Sequence, residues 1–145
     1  CLPFSNVCII KLSGTASICV NVFLFMIQTL ENGKQDIRLI DWEYAGMQDP
    51  DLDIAMFSIY SLYERDQIDN LISIYYENKV DLVTKYKIYA YVAIAGLLWS
   101  NWCEYKRQLG VDFGEYSLKQ YRYAKVYYRI VQKEFLNHQK GEKDE

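Results

Sequence analysis

Two carboxylates placed two residues apart are the sharpest chemical feature of this 145-residue sequence. Asp41 and Glu43 occur in the stretch Ile40-Asp41-Trp42-Glu43, at the predicted end of a β-strand. Alternate residues of extended backbone point to the same side, so we expect both side chains to face one cleft. Mg²⁺ takes one or two carboxylates and completes its shell with water or phosphate oxygens. The spacing favours a magnesium site, although acidic residues at strand ends are also common on ordinary protein surfaces.

A second candidate site lies in an uncharged stretch, residues 88–103, which we predict to be a buried helix. Trp99 and Trp102 are three residues apart, so their indoles are separated by about 60° around a helix and share one face. A quaternary ammonium has no N–H to donate and is held by attraction to aromatic faces. The pair therefore suits such a cation, and packing of both tryptophans in the core is the alternative.

Other chemistries have little support in the composition. The single histidine, His138, lies in a polar segment, and the four cysteines show no metal-ligand spacing, which argues against a zinc site or a Ser-His-Asp triad. Sixteen basic against nineteen acidic residues argue against nucleic-acid binding. No apolar stretch reaches the ~20 residues of a membrane span, and no signal peptide is recognisable, so we expect a cytoplasmic protein.

The elements that must position these residues are a hairpin and a helical bundle. The apolar residues within 1–17 show no clear period, so we assign no secondary structure there. This segment is either native sequence or a scar left by a frameshift. Residues 18–41 predict a β-hairpin, because two runs rich in β-branched and aromatic residues flank a Glu-Asn-Gly-Lys turn. Residues 42–50 would form a metal-binding loop, 51–138 a helical lobe and 139–145 a polar tail.

Four helices are predicted within the helical lobe, over 51–64, 66–79, 82–108 and 113–138. The stretch Asp49-Pro50-Asp51 indicates the start of the first helix, since proline and carboxylates are favoured in a first turn. The last helix carries an apolar stripe at every fourth position: Tyr123, Tyr127, Val131 and Phe135. The predicted fold class is mainly α within an α+β arrangement, with a β-hairpin followed by a helical bundle.

The full stretch around the carboxylates, LIDWEYAGMQDPDLDIA from Leu39 to Ala55, resembles the second metal-binding segment of bacterial choline kinases. These belong to the choline/ethanolamine kinase and aminoglycoside phosphotransferase group, which has a protein-kinase-like fold. Phe113-Gly114-Glu115-Tyr116, together with residues 120–125, is similar to the closing helix of that family. The resemblance covers about residues 20–138 and implies the C-lobe of the fold.

The resemblance also implies roles for individual residues. Asp41 would hold Mg²⁺ against the phosphates of ATP, Glu43 would assist, and Asp53 would support the loop from a helix N-terminus. Choline kinases carry a W-x-x-W pair that holds the substrate ammonium, and Trp99-Ser100-Asn101-Trp102 matches its spacing. Tyr116 is a further candidate wall of that pocket. Choline or ethanolamine would be the small-molecule partner.

One part of the family pattern is missing from the chain. The family carries an H-x-D-x-x-x-x-N catalytic loop before the hairpin, whose Asp accepts the proton of the substrate hydroxyl. Gly14, Ala16 and Asn21 stand at the His, Asp and Asn positions, and residues 1–30 contain no Asp, Glu or His. The nucleotide-clamping N-lobe is absent as well. We therefore assign no catalytic residue and expect a fragment without phosphotransfer activity.

Two functional hypotheses follow from these observations. In the first, the chain is the C-terminal lobe of an ATP-dependent choline or ethanolamine kinase. In the second, it is a non-catalytic helical module that binds a quaternary amine or a partner chain. A free C-lobe would expose the apolar surface that normally meets the N-lobe, so the missing lobe or a second copy is the expected partner.

Overall fold

A computed structural model describes the backbone of residues 18–19, 24–29, 35–40 and 46–135, and the side chains of residues 48–135. Four short strands precede the helices: β1 (Ile18–Cys19), β2 (Leu24–Thr29), β3 (Gln35–Ile40) and β4 (Gly46–Met47). They form two separate antiparallel pairs. Ile18 of β1 lies opposite Met47 of β4, and Leu24 of β2 lies opposite Ile40 of β3.

Four α-helices follow: α1 (Asp51–Tyr60), α2 (Arg65–Tyr75), α3 (Leu82–Gln108) and α4 (Tyr116–Ile130). The last helix continues into a π-helical turn, Val131–Phe135. Within residues 46–135, no helix combines the length and the apolar character needed to cross a membrane.

The helix boundaries have local causes. At the start of α2, Glu64 and Gln67 form a reciprocal capping box, and at the start of α3 the Asp81 side chain accepts a 2.8 Å hydrogen bond from the Thr84 amide. After α3 the chain turns through Gly110, whose φ of +88° is a conformation that glycine adopts without steric cost. These signals explain why α3 begins and ends where the sequence predicted.

The core consists of side chains from all four helices. Its buried members are Ile54, Ala55, Ile59, Ile68, Leu71, Ile72, Ile88, Tyr89, Val92, Ala93, Ala95 and Tyr127. Helices α3 and α4 pack antiparallel, with the Tyr89 and Tyr127 rings 5.1 Å apart near one end and the Trp102 ring near Phe113 at the other. Helices α1 and α3 run in the same direction, because Asp51 pairs with Lys87 while Tyr60 packs on Trp99.

Helices α3 and α4 approach each other closely at Gly96. A Cβ atom built at this position would lie 2.7 Å from the backbone oxygen of Gln120 and 2.8 Å from Cβ of Tyr123. Next to this crossing, the fully buried Gln120 donates a 2.9 Å hydrogen bond from Nε2 to the carbonyl oxygen of Ile59. The crossing therefore connects α4 both to α3 and to the end of α1.

The predicted fold class, a β-hairpin followed by a helical bundle, is wrong. Residues 48–135 are 77% helical and contain no strand, and their buried core consists of helix residues alone. The segment 18–41 is also not a single hairpin, because its first residues pair with β4, beyond Asp41. The β-branched and aromatic composition indicated extended backbone correctly, but composition does not specify which segment a strand pairs with.

Candidate functional site

The predicted metal ligands, Asp41 and Glu43, lie outside the described residues, so their roles remain predictions. Asp53, the predicted support of the loop, lies in the first turn of α1 and is half-buried. Within the part of the chain that the structure describes, no three His, Cys, Asp or Glu side chains come together as a metal site.

A charged cluster lies at the N-terminal end of α1. Lys87 of α3 places its Nζ 2.6 Å from Oδ2 of Asp51 and 2.9 Å from Oδ2 of Asp49. Asp51 is only 1% exposed, whereas 42% of the Lys87 side chain is exposed. A buried carboxylate requires a countercharge or hydrogen-bond donors, and Lys87 supplies the charge from the solvent side.

Two tyrosines complete this charged cluster. The hydroxyl of Tyr76, just after α2, donates to Oδ1 of Asp51, and the hydroxyl of Tyr91 on α3 donates to Oδ2 of Asp49 at 3.0 Å. The backbone amide of Asp51 also donates to Oδ1 of Asp49 at 3.1 Å. We call these five residues, Asp49, Asp51, Tyr76, Lys87 and Tyr91, the acid–tyrosine cluster.

The electrostatics of the acid–tyrosine cluster follow from these contacts. Partial burial acts to raise the pKa of Asp49, but the hydrogen bond from Lys87 and those from the Asp51 amide and Tyr91 outweigh it, so the pKa lies below its usual value. The two carboxylates raise the pKa of Lys87. Burial, reinforced by the hydrogen bond to Asp51, raises the pKa of Tyr76. At neutral pH the cluster therefore holds a charged lysine and neutral tyrosines.

The predicted amine-binding tryptophans lie near the opposite end of α1. The Trp99 and Trp102 rings are stacked, with centroids 5.8 Å apart and planes 20° from parallel. Tyr60 meets Trp99 edge-on at 4.9 Å, and Phe113 packs against Trp102 at 5.3 Å. We call Tyr60, Trp99, Trp102 and Phe113 the aromatic cluster.

The two indoles differ in their access to solvent. Trp99 is partly buried against the core, whereas Trp102 is 40% exposed. A cation midway between the stacked rings would lie only about 3 Å from each centroid, half of their 5.8 Å separation. The rings must therefore bind a cation on an outer face, where Nζ of Lys106 already lies 5.5 Å from the Trp102 centroid.

Tyr116, the third predicted amine-binding residue, is half-buried at the start of α4. Burial raises the pKa of its hydroxyl, and the nearby Gln120 and Trp99 side chains act in the opposite direction. Tyr116 therefore lies near Trp99. The structure thus brings together the three side chains, but it does not test the role that the family resemblance gives them.

The acid–tyrosine cluster and the aromatic cluster are separated along α1. Its ten residues span about 14 Å at 1.5 Å per residue, and the two clusters lie at opposite ends. The sequence reading missed Lys87, Tyr76 and Tyr91 as members of a site, and likewise Tyr60 and Phe113. One available signal was the spacing of Lys87 and Tyr91, which lie four residues apart and therefore share a helix face.

Comparison of the chain with known proteins gives a weak sequence similarity to two proteins of the same name. The chain is similar to Protein LicA of Haemophilus influenzae strain KW20 / Rd, with 31% identity over 93 residues, covering 59% of this chain and 35% of LicA. A second Protein LicA from Haemophilus influenzae matches with the same identity, and 27% of it is covered. The chain thus spans about a third or less of the length of the curated relatives it matches.

No protein-family model matches the chain, and no solved structure matches it.

Proposed function

We propose that the chain is the amine-binding, helical part of an ATP-dependent choline or ethanolamine kinase, which transfers a phosphoryl group to the hydroxyl of an amino alcohol. Two observations support this proposal. The stretch from Leu39 to Ala55 resembles the metal-binding segment of choline kinases, and the chain is similar to Protein LicA over 93 residues.

In this proposal, Asp41 and Glu43 would provide carboxylate oxygens for Mg²⁺, which would neutralise charge on the phosphate groups of ATP. Asp53 supports their loop from the first turn of α1. The phosphoryl group would pass from ATP to the substrate hydroxyl in this region, and positioning with charge neutralisation accounts for most catalysis of such transfers.

The aromatic cluster is the observation on which the amine-binding role depends. The four rings contact one another in a row, and one of them, the indole of Trp102, is 40% exposed. Large aromatic faces at a partly exposed position attract cations, by about 0.5–2 kcal/mol for each ring. Choline presents three methyl groups and no N–H on nitrogen, so it suits this surface better than ethanolamine, which also needs hydrogen-bond acceptors.

Titration of the folded chain with choline, followed by the indole N–H signals in an NMR spectrum, tests the amine-binding role. Contact with the outer face of one ring predicts a weak dissociation constant, about 30 mM or higher. Trp102→Leu should weaken binding by about fivefold or more. Tyr105→Leu is a matched control, since Tyr105 is an exposed aromatic residue of the same helix outside the aromatic cluster. Equal effects of both substitutions, or no shift with choline, would reject the role.

We also propose that this chain alone does not transfer phosphate. No acidic residue or histidine occurs in residues 1–30, where a catalytic loop with a proton-accepting Asp would precede Asp41. An assay with ATP, Mg²⁺ and choline, with coupled detection of ADP, should give no turnover above background. Turnover that Asp41→Ala abolishes would show that the chain contains a complete catalytic site.

A second candidate function, binding of another copy of the chain, is favoured by the outer side of α3. Large apolar side chains lie there on the side opposite the core, all between 46% and 63% exposed: Ile94, Leu97, Leu98, Tyr105 and Leu109. Contiguous exposed apolar surface promotes association. Sedimentation velocity at increasing concentration tests this alternative: Leu98→Glu should abolish any dimer, and a monomer at all concentrations would eliminate self-association.

A further inference from the structure

Lys87 connects the start of α1 to the bundle through two carboxylates at once. Its Nζ lies 2.6 Å from Oδ2 of Asp51 and 2.9 Å from Oδ2 of Asp49. These two aspartates lie on either side of Pro50, where the chain enters α1. A single ammonium on α3 therefore holds both sides of the turn that begins the helix.

The same turn ends the segment 42–50, the predicted metal-binding loop. Strand β4 ends at Met47, and from Asp49 onward the backbone is bound into α1. The amide of Leu52 donates to the carbonyl of Asp49, and that of Asp53 to the carbonyl of Pro50, both at 3.1 Å. The place of Asp49 relative to α3 thus sets where the loop leaves the bundle.

The contacts of Asp51 explain why this connection depends on charge. Asp51 is 1% exposed, and two donors from other helices reach its carboxylate: the Tyr76 hydroxyl at Oδ1 and the Lys87 ammonium at Oδ2. Removal of the ammonium would leave a buried negative charge beside a second carboxylate, that of Asp49. Repulsion and desolvation would then push the turn away from α3.

We propose that Lys87 is a positioning residue, which neutralises Asp49 and Asp51 and so fixes the end of the loop that carries Asp41 and Glu43. The consequence for Asp41 and Glu43 rests on the proposed function. The effect on the turn at Asp49–Asp51 rests only on the contacts described above.

Lys85 offers a matched control on the same helix. Its Nζ lies 3.1 Å from Oδ2 of Asp69, so it also forms an ion pair between α3 and another helix, in this case α2. Asp69 is 33% exposed, and the pair does not involve the loop before α1. Lys85→Met and Lys87→Met therefore remove the same charge from the same helix, with different partners.

Hydrogen exchange of the complete chain tests the positioning role. Lys87→Met should increase amide exchange at residues 51–53 by about tenfold or more, while amides around Gly96 at the α3–α4 crossing keep their protection. Lys85→Met should leave residues 51–53 unchanged, and Lys87→Arg, which retains the charge, should restore most of the protection. Asp49→Asn is a milder variant that should increase exchange at the same amides by a smaller factor.

Binding of Mn²⁺, used as a paramagnetic probe for Mg²⁺, tests the consequence for the loop. Lys87→Met should weaken Mn²⁺ binding by about tenfold, with Lys85→Met and Lys87→Arg within about twofold of the parent chain. A purely structural contribution of Lys87 to folding would not separate these variants in this way.

The positioning role is rejected if exchange at residues 51–53 is unchanged in Lys87→Met, or if Lys85→Met changes it equally. Failure of the proposed function has a different signature. If Asp41→Ala leaves Mn²⁺ binding of the parent chain unaltered, the metal site is wrong, while the exchange result still decides the role of Lys87.

Discussion

The two ends of α1 are joined to α3 by different kinds of interaction. At the N-terminal end, the acid–tyrosine cluster combines an ammonium, two carboxylates and two phenols, with Asp51 fully buried. At the C-terminal end, the aromatic cluster consists of ring contacts, and Trp102 remains 40% exposed. The charged groups of the acid–tyrosine cluster are paired through directional hydrogen bonds, whereas the aromatic cluster leaves an aromatic surface exposed to solvent.

This difference separates positioning from recognition. Charged hydrogen bonds have narrow geometric requirements, so the acid–tyrosine cluster holds the backbone at the start of α1 in one place. Cation–π attraction tolerates a range of positions over a ring, which suits reversible binding of a small cation. The region that fixes the loop and the region proposed to bind the amine should therefore respond differently to pH, packing changes and charge removal.

Alkaline pH should have the largest effect, because it acts on buried tyrosines of both the acid–tyrosine cluster and the core. Burial raises the pKa of Tyr76, Tyr89, Tyr123 and Tyr127 above the ordinary value of 10.0. A raised pKa in the folded state means that the stability is fully present below pH 10 and is lost as pH rises through the folded value. The hydrogen bond to Asp51 and the charge of Asp51 add to the raised pKa of Tyr76, so this contact should break only when the buried tyrosines ionise.

Absorbance at 295 nm, which reports tyrosinate, and circular dichroism at 222 nm measure this transition together. We expect the helical signal to be lost in the same pH range in which the buried tyrosines ionise. Tyr76→Phe should reduce the number of protons released on unfolding by about one, so the free energy of unfolding should depend less steeply on pH. Ionisation of every tyrosine near pH 10 with the helices intact would contradict the expectation.

Substitution of Gly96, on α3 between the two regions, should have the next largest effect. Gly96→Ala should lower the free energy of unfolding by about 3 kcal/mol, because the added Cβ would lie 2.7 Å from a backbone oxygen and force α3 and α4 apart. Urea denaturation measures the change. Asn101→Ala, at an exposed position of the same helix, should change stability by less than about 0.5 kcal/mol. Similar values for both would show that the crossing is not tight.

Truncation within each cluster should have unequal effects on stability. Asp51→Ala should cost about 2 kcal/mol, since it removes a buried acceptor from Tyr76 and Lys87. Trp102→Leu should cost less than about 1 kcal/mol, since the indole is partly exposed. Thermal unfolding of the two variants side by side measures the difference. The opposite order would mean that the aromatic cluster, not the charged one, holds α1 in place.

The smallest expected effect concerns the ammonium already present at the aromatic cluster. Nζ of Lys106 lies 5.5 Å from the Trp102 centroid, where it competes with and repels an incoming cation. Lys106→Gln should therefore tighten choline binding by about two- to threefold at low salt. Lys125→Gln is the control, because Lys125 lies over Tyr121, outside the aromatic cluster. Weaker binding in Lys106→Gln would place the amine elsewhere.

Much of the helical part could be predicted from the sequence, because its signals are local. The third helix was predicted over residues 82–108, and α3 spans Leu82–Gln108. The first two helices are shorter than predicted: α1 ends at Tyr60 rather than 64, and α2 at Tyr75 rather than 79. The predicted last helix, 113–138, begins at Tyr116 and changes to a π-helical turn at Val131.

The spacing of the two tryptophans likewise placed their indoles on one face of α3, since three residues amount to about 300° of rotation. The spacing of the two residues in the sequence did not predict the distance between their rings. The indoles stack with their centroids 5.8 Å apart, which excludes a cation from the space between them. In the folded protein, Tyr60 packs on Trp99 and Phe113 packs on Trp102.

The sequence by itself determined where helices form, which side of each is apolar and which residues share a face, because these properties depend on neighbours within one or two turns. Only the tertiary structure decided that Lys87 meets aspartates 36 and 38 residues earlier, and that Gln120 reaches the carbonyl of Ile59. The periodicity of a helix identifies its buried face but not the element that packs against that face. A lysine in a sequence also looks the same whether its side chain is solvated or pairs with a buried carboxylate. The pairing depends on how the helices cross, and the absence of a Cβ at Gly96 permits the close crossing of α3 and α4.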